Sequence, residues 1–329
     1  MATPPLLVDS DVSWLVEQAC RAPSIHNTQP WRFVWDGTGF NLFADTSRGL
    51  TVGDPNGREL VISCGAALFN LRVALRQRGL VGSELLLPDP GQPRWLARVV
   101  VARGEPASKA ERQRLAALVR RHTHRGGFDD RTLPTQLQVE LHRVAEAEQA
   151  CLVYLCDPGR RHKVLQLTRE AAGAIDANER ALAALADWTP APGSGRRDGV
   201  PPEAYPARPR AQATEFAARD FDLGRGLGTA EEAGSSPGLL AVLVTDGDDE
   251  RSWLRAGSAL EHVLVDSARH WVFAALHSQV CEIPAARAEL RRELGTAGYP
   301  QVLLRLGYAH VAATTPRRPV RDVLRVIEH

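Results

Sequence analysis

The chain has 329 residues, 44% hydrophobic and 24% charged, with 40 lysines and arginines against 39 acidic residues and a formal charge of +1. That length can bury a large core in one domain or two, and so even a balance provides no basic face for nucleic acid. No apolar run approaches the roughly 18 residues that span a bilayer, and five cysteines without CxxC spacing argue for reduced thiols over zinc or disulfides. With no basic n-region at the start, the expectation is a cytoplasmic protein without a membrane or nucleic-acid partner.

In chain order, residues 11–21 read as a helix capped by Asp9, Ser10 or Asp11, with Trp14, Leu15, Ala19 and Cys20 on one face. Pro23 breaks it, a polar loop carries Ser24, Asn27 and Gln29, and Pro30 leads into a strand at 31–35. The turn Asp36-Gly-Thr-Gly39 joins this to a second strand at 40–44, a hairpin pattern. A long helix is expected at 57–78. Leu60, Val61, Cys64, Leu68, Leu71 and Leu75 repeat at helical spacing, and small residues at 63 and 65–67 would let another helix approach closely. Gly79 stops it. A buried strand at 95–101 and a helix at 111–121 follow.

The second half loosely repeats the plan: helix 137–147, strand 151–156, helix 160–186, strand 239–245, helix 253–277 and strand 301–306. Two stretches stand outside the repeat, 189–210, rich in Pro, Gly and Arg, and 224–238, rich in Gly, Ser and Glu. Long loops of this kind are functional lids or plain insertions. The expected class is α+β, two degenerate repeats of mainly antiparallel sheet with long central helices, divided as 1–105 and 106–329.

Lys109 and Lys163 are the only lysines, a bias that genomic base composition explains, so arginines must be argued by position. In an extended segment Arg121, Thr123 and Arg125 share a face. Two guanidinium forks flanking a hydroxyl suit a phosphate; a solvated basic run at a helix C-terminus is the alternative. Pro316-Arg-Arg-Pro319 is either a rigid basic presentation or a surface patch.

The string Ala22-Pro-Ser-Ile-His-Asn-Thr-Gln-Pro-Trp31 resembles the APSxxNxQPW segment of the FMN-dependent nitroreductase superfamily. Arg121-x-Thr-x-Arg125 followed by Phe128 and Pro134 is similar to the family's opening element, displaced a third of the way along. Leu304-Arg-Leu-Gly-Tyr308 with the later arginines resembles its terminal segment, and the whole chain its long, Acg-like branch. The resemblance implies one composite FMN site inside a fused, degenerate dimer, monomeric as a chain. Its cofactor contacts would be Arg21, Pro23, Ser24, Asn27 and Gln29 from the first half, and Arg121, Thr123, Arg125, Gln279, Arg317 and Arg318 from the second. It further implies ping-pong hydride transfer from transient NAD(P)H through FMN to a nitroaromatic, quinone or similar small acceptor, with no catalytic side chain and no metal. The alternative is an FMN-sequestering protein whose flavin is covered by a lid at 189–238. His26 reads as a structural hydrogen-bonding residue, and the bulky His270-Trp-Val272, where relatives carry small residues, as a constriction of the pocket or a core contact.

Overall fold

The structure is a computed structural model that describes residues 6–206, 218–229, 234, 236–309 and 314–327. Residues 207–210, 230–233 and 235 of the two expected loops lie outside the described residues. Nine helices and nine strands form among those described. The first half runs α1 (Asp9–Ala19), β1 (Trp31–Trp35), β2 (Gly39–Ala44), α2 (Arg58–Gln77), β3 (Leu80–Leu86) and β4 (Trp95–Arg103). After α3 (Lys109–Arg120), the second half runs α4 (Thr135–Ala147), β5 (Cys151–Tyr154), α5 (Pro158–Asp176), α6 (Glu179–Ala186), β6 (Leu239–Thr245), α7 (Glu250–Arg269), β7 (Val272–His277), α8 (Gln279–Glu282), α9 (Pro284–Leu294) and β8 (Tyr299–Tyr308). A final strand, β9 (Leu324–Val326), follows.

One sheet has the order β3-β4-β2-β1-β9 and the other β5-β6-β8-β7, so four strands of each share one order and one antiparallel pairing scheme. Even the register shifts correspond, between Leu42 and Phe43 in one and Leu243 and Val244 in the other. The long helices α2 and α7 cross between the sheets, where Gly65 meets Gly257. A Cβ on Gly65 would lie 2.1 Å from the Leu254 carbonyl oxygen, and one on Gly257 2.0 Å from the Ile62 carbonyl oxygen. Only glycine permits backbones that close, and the reciprocity puts a local two-fold between the two residues. The cores exchange side chains across it: Leu254 packs with the first-half core and Ile62 with the second.

β9 departs from this repeat. It returns from the C-terminal region to pair in parallel with β1, Phe33 opposite Leu324, and so extends the first sheet.

Three local expectations are corrected. The helix expected at 253–277 ends at Arg269; Trp271 turns to φ 59° and the following residues form β7. Its unbroken apolar run fits helix or strand equally, and pairing with β8 decides. The helix expected at 160–186 divides where Asn178 caps α6 by accepting from the Arg180 and Ala181 amides. β3 is an additional edge strand.

Candidate functional site

A cavity of about 1080 Å³, open mouth included, lies between the halves. Pro23 to His26 form one wall, and Glu59, Ile62, Ser63 and Ala66 of α2 another. Thr123 to Arg125 and Ala275 to Ser278 face them, and Tyr205, Arg219 and Phe221 overhang the space. The 121–125 segment runs beside β7, Thr123 bridging Ala274 in parallel and the His124 amide donating to the Ala274 carbonyl at 2.8 Å. That extended pairing aims Thr123 and Arg125 at the cavity.

The loop after α1 is wound tightly. His26, Asn27 and Gln29 hold φ of 46°, 55° and 52°, left-handed values that cost non-glycine residues about 1–3 kcal/mol each. The surroundings fix them. The Gln29 amide donates to Ser24 Oγ at 2.9 Å, and the Ile25 amide to Ser63 Oγ at 3.2 Å. Asn27 Nδ2 donates to the Gly199 and Pro316 carbonyls at 2.8 and 3.1 Å. Gln29 Nε2 donates to the Arg197 carbonyl at 2.8 Å, and Gln29 Oε1 accepts from the Arg318 amide at 2.8 Å. Asn27 and Gln29 therefore fasten the 197–199 and 316–318 segments onto the loop. The Arg318 guanidinium likewise donates to the Gln29 and Asp322 carbonyls at 3.2 and 3.0 Å.

Pro23, Ser24, Thr123 and Arg125 line the cavity. Arg121 and Arg317 converge just behind it, both donating to the Arg21 carbonyl at 3.1 Å. The Arg21 side chain turns away, donating from Nε to Gln18 Oε1 at 3.0 Å. Gln279 is buried at the start of α8, its Nε2 without a partner among the described residues. His26 meets Phe221 edge-on at 5.7 Å; burial, with Arg219 and Arg125 nearby, keeps it neutral. Trp271 does not narrow the cavity. It is 60% exposed and carries the Arg120 guanidinium 4.1 Å from its ring, because the turn before β7 throws it outward.

The electrostatics are one-sided. Burial and the charge of Arg121 push Arg317 down to about 9 and Arg125 down to about 10, and burial pushes Arg305 down to about 10. Arg317 Nε and Arg121 Nη1 are buried without a hydrogen-bond partner among the described residues. Glu261 stands 3.3 Å from Arg121, but burial raises its carboxyl to about 7, so at neutral pH it offsets only part of that charge. The remaining Arg317 nitrogens are paired, Nη1 with Asn27 Oδ1 at 3.1 Å and Thr315 Oγ1 at 2.6 Å, and Nη2 with the Arg21 and Ala22 carbonyls at 3.1 and 3.2 Å; the donors left over are ones that the oxygens of an anion would meet.

Sequence reasoning singled out the loop and the arginines but missed Glu59, Ser63, Arg219 and Phe221. A lone glutamate at a helix start or an arginine in a loop carries no pattern to find.

No protein-family model matches the chain. The protein named putative NAD(P)H nitroreductase Rv3131, from Mycobacterium tuberculosis, is 32% identical over 318 residues, 94% of this chain and 89% of that protein. Putative NAD(P)H nitroreductase acg from the same organism is 29% identical over 330 residues, 98% of each. A crystal structure of a BluB-like flavoprotein from Clostridium difficile 630 overlaps 65% of this chain and 98% of its own, with a TM-score of 0.43 at 13% identity, too distant to argue from. On the sequence likeness, which runs nearly end to end, the chain belongs to the nitroreductase family, in its Acg-like branch.

Proposed function

We propose that the chain is an FMN-dependent oxidoreductase with one composite site, which passes electrons from NAD(P)H to a small acceptor such as a nitroaromatic or a quinone. The observation that carries this reading is the convergence of two buried guanidinium groups, Arg121 and Arg317, each keeping an unpaired donor, behind a cavity to which both halves contribute. A phosphate there would meet their donors, while the cavity of Ser24, Thr123 and Arg125 accepts a polar ring system. These residues fit FMN. When bound, FMN supplies hydride chemistry.

Each residue then has a definable task. Arg121 and Arg317 would hold the phosphate, Ser24 and Thr123 offer hydroxyls from opposite walls, and Arg125 keeps positive charge at the cofactor's edge, which favours added electrons. Tyr205 and Phe221 exclude water from the overhung face. The repeated sheets and the glycine crossing support a fused dimer that is complete as one chain, divided near residue 105, with β9 crossing back.

The overhang favours a second reading, an FMN-holding protein with little turnover. The absorption spectrum of the purified protein, with flavin counted per chain, tests the cofactor; one flavin is expected, and two would refute the single site. Under anaerobic conditions NADPH should bleach that flavin and a nitroaromatic restore it. A flavin that dithionite reduces but nicotinamides do not would establish the second reading.

A further inference from the structure

Glu59 is a buried carboxyl group that opens the first turn of α2 and lines the cavity. Its Oε1 accepts from Arg58 Nη2 at 2.8 Å, and its Oε2 has no hydrogen-bond partner among the described residues. Arg58 itself is held from behind, donating to the Gln301 carbonyl at 2.7 Å and to Gln301 Oε1 at 3.2 Å. One carboxyl oxygen is thus anchored while the other is left at the cavity wall. A bare carboxylate oxygen in that position would be costly, whereas a protonated one needs only an acceptor that arrives with a ligand.

The charged surroundings agree. Asp54 lies in the preceding turn, where its Oδ2 accepts from the Leu60 amide, and Arg58 is the neighbour on the same helix. Glu282 of α8 and Arg219 of the overhanging segment face Glu59 from across the wall. Around the cavity stand His26, His124, His277, Arg125 and Arg305. Burial, reinforced by the negative charge of Glu282, drives the Glu59 carboxyl well above the usual carboxylate range, against the opposing pull of Arg58. Glu282, in turn, is bound by Arg219 and by Ser278, whose Oγ donates to it at 2.5 Å.

Glu282 also lines a second cleft of about 550 Å³, bounded by Leu50, Val52, Asn178 and Leu185, and sharing His26 and Arg219 with the main cavity. The two carboxyl groups therefore sit at the wall between a covered cavity and a second cleft.

We propose that Glu59 is the acid that protonates the acceptor in the cavity, and that Glu282 returns the proton to it from the neighbouring cleft. The proposal rests on the flavin reading above. A quinone would take a hydride, two electrons and one proton, from the cofactor chemistry, with negative charge left on its second oxygen. The Glu59 Oε2–H bond breaks as that oxygen forms its own O–H bond, giving a hydroquinone and a Glu59 carboxylate beside Arg58. A proton from water in the cleft, passed by way of Glu282, restores the acid.

Infrared difference spectroscopy across a pH titration of the purified protein reads the acid directly, whether or not flavin is bound. Beside any contribution from Glu261, a protonated-carboxyl C=O component at neutral pH is expected that is lost in Glu59→Gln, persists in Glu261→Gln and titrates at lower pH in Glu282→Gln, which lacks the repelling charge. The second measurement mixes dithionite-reduced protein with menadione. Glu59→Gln should slow reoxidation about a hundredfold and flatten its pH profile, which in the native protein falls as Glu59 ionises; Glu59→Asp should restore part of both. A carboxyl band unchanged in Glu59→Gln, or native reoxidation rate and pH profile in that variant, would overturn the proposal. A protein that purifies without flavin yet shows the band would fail the cofactor reading while leaving Glu59 an acid.

Discussion

The loop between α1 and β1 occupies residues 20–30, whereas its rotated counterpart between α4 and β5 is only residues 148–150. The first has room for Ser24, Asn27 and Gln29 and forms one wall of the cavity. The second begins at Glu148, which accepts from Arg72 Nη2 at 2.7 Å and pairs with His262 at 3.2 Å; Arg72 also pairs with Glu84 of β3 at 3.2 Å. One corner of the repeat thus gathers cations with unsatisfied donors, and the other neutralises its charges internally. On the proposed reading, a repeated scaffold makes one binding site in this way: the frame is shared, and loop length with charge pairing decides which corner stays receptive.

Breaking the shared frame should have the largest effect. Gly65→Val and Gly257→Val should each lower stability by about 3 kcal/mol or more, since the clash is with backbone carbonyls that cannot move aside. Thermal denaturation checks it, and a clear inequality between the two would argue against the local two-fold. Arg121→Ala or Arg317→Ala should weaken FMN binding about thirtyfold, the cost of roughly 2 kcal/mol for a charged hydrogen bond. Arg72→Ala at the other corner should leave flavin content unchanged and cost about 1 kcal/mol of stability. Fluorescence titration with FMN separates the two corners.

A subtler effect comes from Glu261, whose carboxyl is raised from 4.5 to about 7. Between those pH values the unfolded chain ionises there and the folded protein does not, so this group erodes stability as pH rises and then levels off above about 7. Glu261→Gln should flatten that slope, by up to about 3 kcal/mol, in urea denaturation across pH. The smallest effect is expected of Trp271→Ala, within about 0.5 kcal/mol and without change in flavin content. A gain in access to the flavin would mean that Trp271 does obstruct the cavity.

The helix–strand plan was readable because α2 carries a helical repeat and the Asp36–Gly39 turn marks β1 and β2 as a hairpin, and Ser24 and Arg125 because they sit in patterned strings. Val272–His277 was not, since the pairing that makes it a strand is with β8, sequence-distant and unmarked. Glu59 was invisible for a related reason. What distinguishes it from any surface glutamate is burial against Glu282 and Arg58, which arises only when α8 folds over the start of α2. The roles of Asn27 and Gln29 as fasteners likewise depend on segments 168 to 290 residues away.

The return of β9 to β1 has a consequence for how the protein is made. The first sheet cannot be completed while the ribosome is still translating the second half, because its fifth strand is encoded some 290 residues after β1. Arg317 travels with that strand. Contacts of such long range form late, so the corner where Arg121 and Arg317 meet closes only after the second half has been translated.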